Sequence, residues 1–214
     1  MEAGSLVARE RLQRRGVRLE WFTVAWNVAE ALVAIAAGAA AGSIALIGFG
    51  VDSGIEVVAA SALLWRFSHA QADASEAEHG RAERRALYIV AATFFALAAY
   101  IAFEAIQGLA SREEPESSTV GLILALVSLA VMPALAYAKQ QTGRALASRA
   151  LQADAVETWV CAYLSLALLV GVGLHLALGW WWADPVAALA MLPVIVWQGW
   201  ETLEEARDEQ SKDE

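Results

Sequence analysis

One apolar run, SIALIGFGVDSGIEVVAASALLWRF over residues 43–67, constrains this chain most because it carries two carboxylates near its centre. A helix needs roughly 20 apolar residues to cross a bilayer core, and this run is long enough. Asp52 and Glu56 are four residues apart, so a helix presents both on one face. Insertion scales put a charge at mid-bilayer at roughly 2.5–3.5 kcal/mol, so the pair indicates a cation, protons or a polar cavity opposite it.

Five further apolar runs predict an all-α fold, namely a polytopic membrane protein with a six-transmembrane-helix bundle. The chain has 214 residues, of which 58% are hydrophobic, and this length leaves no room for a second domain. We expect an N-terminal segment over 1–18, the transmembrane domain over 19–205 and an acidic tail over 206–214. Asp184 and Pro185 are predicted to open the sixth helix as its N-cap and first helical residue. The runs occupy residues 19–41, 43–67, 86–110, 119–138, 151–174 and 184–200.

The distribution of Lys and Arg predicts the orientation in the membrane. Fourteen of the fifteen lie in the N-terminal segment, in the region from the end of the second run to the start of the third, in a basic linker over 139–149, or in the tail. Only Arg112 lies on the opposite side. The positive-inside rule therefore predicts that both termini are cytoplasmic. We expect an integral protein of a bacterial plasma (inner) membrane.

A second pair of candidate ligands, Glu157 and Cys161, lies four residues apart in the fifth run. The second and fifth helices run in opposite directions, so this pair and the pair Asp52 and Glu56 can meet at one depth. Three oxygens and one sulfur could then surround a divalent ion. Zinc favours four such ligands, with oxygen at roughly 2.0–2.2 Å and sulfur at about 2.3 Å. Carboxylates also suit manganese or iron, whereas a thiolate favours zinc or cadmium.

Other polar residues in the apolar runs leave alternatives open. Asp154, one turn nearer the cytoplasm than Glu157, could replace Cys161 as a ligand, line the access route, or cap the start of the helix. Glu30 and Asn27 in the first run could form an outer shell or a proton path. They could equally be interhelical hydrogen-bonding groups, worth about 0.6 kcal/mol each. Cys161 itself could be a small buried hydrophobic residue.

The clustered carboxylates suggest a transport mechanism. In a low dielectric some of them must hold protons when no metal is bound, and metal binding expels those protons. If the site opens alternately to the two sides, metal and protons exchange as an antiporter. The alternative is a non-transporting metal-binding subunit or sensor that modulates another transporter. We expect no enzyme, because no nucleophile with a companion base is evident, and no nucleic-acid signature is present.

At these residues the chain resembles the cation diffusion facilitator family of divalent-metal transporters. The matching motifs are SIALIGFGVDSGIE in the second run, HGRAE at 79–83, SRALQADAVETWVC in the fifth run and GWWWADP at 179–185. The resemblance implies metal binding by Asp52, Glu56, Glu157 and Cys161. It also implies Zn2+ as the transported substrate, with Mn2+, Fe2+ or Cd2+ as alternatives. It suggests a short branch without the family's C-terminal cytoplasmic domain, so that the expected homodimer is held by transmembrane helices.

Overall fold

The computed structural model describes residues 2–69, 76–112, 116 and 118–212, and these residues form six α-helices. Within those ranges there is no strand, and all six helices are long and apolar enough to cross a membrane. The predicted all-α fold with six membrane helices is therefore confirmed. The helices are α1 (Glu2–Ala41), α2 (Ile44–His69), α3 (Glu76–Ser111), α4 (Thr119–Leu146), α5 (Arg149–Leu178) and α6 (Ala183–Lys212).

The helices extend beyond the apolar runs. α1 begins at Glu2, α4 continues to Leu146 through the predicted basic linker, and α6 continues to Lys212. The added residues are rich in Ala, Arg, Glu and Gln, which favour the helix wherever the bilayer ends. The predicted segment boundaries near residues 18 and 205 therefore fall inside α1 and α6. The side chains of residues 1–8, 65–87 and 209–214, including those of the HGRAE motif, lie outside the described part of the structure.

Three helix pairs make the most extensive contacts, namely α1 with α2, α3 with α6, and α4 with α5. α2 also contacts α3, α5 and α6, and its Leu46 lies next to Gly121 of α4, so it touches every other helix. Its span is 56% buried, more than that of any other helix. The run that carries Asp52 and Glu56 is therefore the central helix of the bundle, and its polar face is enclosed by protein.

Small residues bring α1 and α2 together at their connecting turn. Gly42 has the left-handed φ of 66°, and the amide of Ser43 donates to the carbonyl of Gly38 over 3.0 Å, which closes the C-terminus of α1. A Cβ on Gly38 would lie 2.8 Å from Ile47 Cγ1, and one on Gly50 would lie 2.9 Å from the Cβ of Ala34. The backbones thus approach more closely than larger side chains would permit, as is common for membrane helices.

A tight turn makes an antiparallel hairpin of α4 and α5. Ala147 follows α4 with a left-handed φ of 52°, and Ser148 is the N-cap of α5. The Ser148 hydroxyl accepts a hydrogen bond from the amide of Leu151 over 3.3 Å. This turn leaves α4 and α5 little freedom to separate, so the hairpin forms one packing unit.

Asp184 connects the start of α6 to the start of α2. Its carboxylate accepts hydrogen bonds from the hydroxyl of Ser43, from the amide of Ile44 at 2.9 Å and from the amide of Ala45 at 3.4 Å. The predicted N-cap role in α6 is wrong, because α6 already begins at Ala183. The carboxylate instead satisfies the unpaired amides of α2, where a negative charge also suits the helix dipole.

Candidate metal centre

Asp52 and Glu56 lie one helical turn apart on the enclosed face of α2. Asp52 is fully buried, and only 5% of the surface of Glu56 is exposed. This burial follows from the central position of α2, which leaves that face no contact with lipid or water. A carboxylate at such a position needs hydrogen-bond donors or a cation, because removing its charge from water is otherwise very unfavourable.

Cys161 of α5 faces the two carboxylates of α2. It is a free, fully buried cysteine, and one ligand atom from each of Asp52, Glu56 and Cys161 lies within 4.8 Å of the others. Two ligand atoms of a tetrahedral zinc ion are about 3.5 Å apart, so a small inward movement of these side chains would complete the contact with an ion. The structure therefore brings together three of the four predicted ligands. We call Asp52, Glu56 and Cys161 the ligand triad.

Several oxygens at the ligand triad have no hydrogen-bond partner among the described residues. They are both carboxylate oxygens of Asp52, Oε1 of Glu56 and Oδ1 of Asn27, and all are buried. Leaving a buried polar group unsatisfied costs about 1–3 kcal/mol, and more when it is charged. A group of such oxygens around one point is the arrangement expected where a cation supplies the missing interaction.

α1 supplies the polar wall next to the ligand triad. Asn27 donates from Nδ2 to Oε2 of Glu56 over 2.5 Å, and it is fully buried. Glu30 accepts hydrogen bonds from Ser53 over 2.9 Å, from Nε1 of Trp26 over 3.2 Å and from the hydroxyl of Ser128. Asn27 and Glu30, the two predicted accessory residues of α1, therefore make interhelical hydrogen bonds next to the ligand triad.

Glu30 also lies beside the thiol of the ligand triad, since Sγ of Cys161 is 4.0 Å from its Oε2. Its hydrogen bonds reach α2 through Ser53 and α4 through Ser128. The site thus has contributions from α1, α2, α4 and α5, whereas the sequence pointed chiefly to α2 and α5. The wall contributed by Ser53 and Ser128 has no sequence signal, because serines are common in membrane helices.

Asp154 and Glu157 lie outside the ligand triad. Asp154 is paired with the ammonium group of Lys139, and Glu157 is half-buried. Along α5, Glu157 lies between Asp154 and Cys161, and it is within electrostatic range of Asp154, Lys139 and Glu56. The two residues occupy the part of α5 that leads from the ligand triad towards the end of the bundle where the chain termini lie.

Lys139 is a buried cation near the site that the sequence did not predict, because its position after the fourth apolar run indicated a basic linker. It is fully buried and lies in α4 between Glu20 and Asp154. The linker assignment is wrong because the helix continues and finds carboxylates on two other helices. The signals in the sequence are Glu20, a second carboxylate in the first apolar run besides Glu30, and Asp154 in the fifth run.

Comparisons with known proteins agree with this architecture. The family model described as the cation efflux transmembrane domain matches residues 21–209. The chain is 28% identical over 174 residues to an uncharacterized transporter of Synechocystis sp., covering 80% of this chain and 56% of that protein. It is 24% identical over 166 residues to transmembrane protein 163 of Xenopus laevis, covering 78% of this chain and 58% of that protein. The chain thus spans a little over half the length of these curated relatives.

Proposed function

Because this chain belongs to the cation efflux transmembrane domain family, we propose that it carries a divalent metal cation, zinc, out of the cytoplasm in exchange for protons. The observation that carries the proposal is the ligand triad at the centre of the bundle, with unpartnered oxygens around it. A relative with 28% identity bears the name of a transporter, which supports the same reading.

The ligand types favour zinc as the transported substrate. The ligand triad offers two carboxylates and one thiol, and zinc binds both oxygen and sulfur ligands in a tetrahedral shell. Manganese and iron prefer harder ligands than a thiolate, so they are weaker candidates, whereas cadmium shares the preference of zinc for sulfur. A competition assay among Zn2+, Cd2+, Mn2+ and Fe2+ on purified protein measures this order directly.

One ligand position remains beyond the ligand triad. The sequence favours Glu157 for it, and α1 offers two further groups, the unpartnered Oδ1 of Asn27 and the carboxylate of Glu30 beside Cys161. Zinc affinities of Glu157→Gln, Asn27→Ala and Glu30→Gln identify the fourth ligand. Losing a direct ligand should weaken binding more than the roughly 10- to 100-fold typical of an outer-shell change.

Proton exchange follows from the charge of the empty site. Two carboxylates and a thiolate together carry three negative charges at a depth where even one is unfavourable. The site therefore requires either a divalent cation or protons, and a metal needs its ligands deprotonated. Metal and proton occupancy then exclude each other, which couples the two fluxes whenever the site opens to each side in turn.

The proposal also includes the orientation, the membrane location and the oligomeric state of the protein. We expect both termini in the cytoplasm, an inner-membrane location, and a homodimer held by membrane helices. Large apolar side chains on the outside of the helices suit lipid or a second copy, for example Trp21, Leu32 and Phe103, which are 62%, 67% and 63% exposed. Reporter fusions at each terminus test the orientation, and native mass measurement in nanodiscs tests the dimer.

The deciding experiment is zinc flux into proteoliposomes with and without a pH gradient. We expect flux that is driven by the gradient, abolished in Asp52→Asn and preserved in Glu104→Gln. Glu104 is a matched control, since it is a half-buried carboxylate in α3, which contributes no side chain to the ligand triad. Wild-type flux in Asp52→Asn would contradict the proposal. Saturable zinc binding without any flux would favour the metal-binding subunit or sensor instead.

A further inference from the structure

A second buried polar group lies between the ligand triad and the end of the bundle that carries the chain termini. The ammonium group of Lys139 in α4 is 3.4 Å from Oε2 of Glu20 in α1, pairs with Asp154 in α5, and donates to Thr158 over 3.2 Å. Lys139 and Glu20 are fully buried, and Asp154 is 9% exposed. We call these four residues the inner ion cluster.

The helix register places the inner ion cluster on the terminal side of the metal site. Asp154 precedes Cys161 by seven residues in α5, and Glu20 precedes Asn27 by seven residues in α1. At a rise of 1.5 Å per residue, both separations amount to about 10 Å, or two helical turns. α1 and α5 both run away from the termini, so both offsets point in the same direction.

The inner ion cluster joins two parts of the bundle, the α1–α2 pair and the α4–α5 pair, that contact each other less extensively than the two helices within each pair do. α1 packs mainly with α2, and α4 packs mainly with α5, whereas contacts between these two pairs are fewer. Glu20 belongs to the first pair, and Lys139 and Asp154 belong to the second. The ligand triad crosses the same boundary, since Asp52 and Cys161 come from different pairs. Separation of the two helix pairs would therefore expose the metal site and break the inner ion cluster at the same time.

An apolar layer formed by Gly16, Leu151 and the methyl group of Thr142 lies one turn further towards the termini. A Cβ placed on Gly16 of α1 would lie 3.4 Å from Cδ2 of Leu151 in α5 and 4.0 Å from Cγ2 of Thr142 in α4. Leu151 is fully buried and Thr142 is 1% exposed. The same three helices that share the inner ion cluster are thus in close contact one turn further towards the termini.

The other side of the metal site is closed differently. There the ligand triad borders fully buried apolar residues, namely Phe49 and Leu46 before Asp52, and Leu164 and Leu168 after Cys161, and the hydroxyl of Ser165 donates to the carbonyl of Cys161 over 2.8 Å. Next to the ligand triad, α1 and α4 are joined by the hydrogen bond from Ser128 to Glu30, whereas among the described residues only the terminal side has an ion pair that bridges the two helix pairs. Such a bridge can be exchanged for water or for a passing cation, whereas an apolar layer offers no such replacement.

From this geometry we propose that Lys139 is a tethered cation that holds the terminal-side gate closed by bridging Glu20 of α1 to Asp154 of α5. Release of the bridge lets α1 move away from α4 and α5 and opens a route to the ligand triad. The half-buried Glu157 lies on that route, with Glu201 and Glu205 of α6 within electrostatic range of it. Passage of metal through the gate rests on the proposed function, whereas the gate itself is tested without transport.

Cys161 provides the probe for the test. It is the chain's single cysteine, it is fully buried, and it belongs to the ligand triad. Its rate of reaction with a charged, membrane-impermeant methanethiosulfonate reagent therefore reports access to the site, with no cysteine added or removed. The reagent is applied separately to each face of vesicles containing the full chain, and a tag at the terminus identifies the terminal face.

We expect slow labelling of the wild-type protein from both faces. Lys139→Met should raise the rate from the terminal face about tenfold, because loss of the bridge shifts the population towards open molecules. Labelling from the opposite face should stay within about twofold of wild type. Lys139→Arg keeps the charge and should keep the wild-type rate, as should Arg144→Met, which removes an exposed cation from the same helix.

Two further variants keep the test decisive if Lys139→Met does not fold. Glu20→Gln breaks only the link to α1 and leaves the pair between Lys139 and Asp154 in place, and Leu151→Ala opens the apolar layer. Both should raise terminal-face labelling selectively. Unchanged labelling in folded Glu20→Gln and Lys139→Met, or an equal rise from both faces, would overturn the gate. Selective opening in a protein without zinc flux would leave the gate standing and reject the transport proposal.

Discussion

Replacing Glu30 tests how far α1 holds the metal site together. Its carboxylate is 1% exposed and joins three helices, because it accepts hydrogen bonds from Trp26 of α1, Ser53 of α2 and Ser128 of α4. Glu30→Leu keeps much of the side-chain volume and removes every acceptor. We expect this variant to unfold more easily than wild type, while Glu30→Gln should stay close to wild type.

The expected loss of stability depends on which hydrogen-bond acceptor remains for each donor after Glu30 is replaced. Ser53 loses little, because its hydroxyl also lies 3.1 Å from the carbonyl of Phe49. Ser128 is fully buried, and leaving its hydroxyl unsatisfied costs about 1–3 kcal/mol, whereas the partly buried Trp26 loses one hydrogen bond worth about 1 kcal/mol. Glu30→Leu should therefore lower the free energy of unfolding by about 2–4 kcal/mol. In Glu30→Gln one oxygen still serves Ser128 and Trp26, so the loss should be about 1 kcal/mol, near the average for a membrane hydrogen bond.

Equilibrium unfolding in mixed micelles, followed by the circular dichroism of the helices, measures these differences. Glu104→Leu is the matched control, because Glu104 is only half-buried in α3, and its effect should stay within about 0.5 kcal/mol. The reasoning fails if Glu30→Leu is as stable as wild type, or if Glu30→Gln is destabilised as strongly as Glu30→Leu. The second result would mean that the negative charge, and not the acceptor geometry, is what the site requires.

Three other substitutions test separate features of the bundle. Asp184→Ala should lower the free energy of unfolding by about 2–3 kcal/mol because it removes three hydrogen bonds at the start of α2, and Asp184→Asn by about 1 kcal/mol, both measured in the same unfolding assay. Gly171→Ala should cost about 1–3 kcal/mol, since its Cβ would lie 2.4 Å from that of Ala187, whereas Gly54→Ala, with no atom within 4 Å, should be neutral or slightly stabilising. Cys161→Asp should lower the ratio of zinc to manganese affinity about tenfold, measured by competition on the purified protein, and an unchanged ratio would show that the thiol is no ligand.

The membrane spans were predictable because each requires only a long apolar run, and that signal is local. The ends of the helices were not, because polar residues with good helix propensity continue α1, α4 and α6 outside the apolar stretch. Lys139 shows the consequence, since its position just beyond an apolar run suggested a loop. Its burial depends on carboxylates from α1 and α5, and no local pattern reports such a partner.

The helical register explains why the fifth helix was only partly predictable. At 100° per residue, Asp154 and Cys161 are about 20° apart around α5, whereas Glu157 is rotated by about 40° from Cys161 and 60° from Asp154. Spacing alone allows any of the three to face α2. Packing decides between them, and it buries Asp154 and Cys161 while leaving Glu157 half-buried. The hydrogen-bond partners of Glu30 could not be predicted from the sequence for the same reason, because Ser53 and Ser128 belong to other helices.

The two ends of the bundle are held by different bonds, and this difference indicates where movement begins. At the far end Asp184 fixes the start of α2 to α6, and the α1–α2 turn is tightly packed around Gly38. At the terminal end the link between α1 and α4–α5 is the bridge through Lys139 and the contacts of Gly16. Glu20 and Ser43 are separated by about 34 Å along the helix axis, so these two attachments are independent. On the proposed gate, we therefore expect the α1–α2 pair to pivot about its far end, so that the metal site, which lies between the pivot and the bridge, opens first towards the termini.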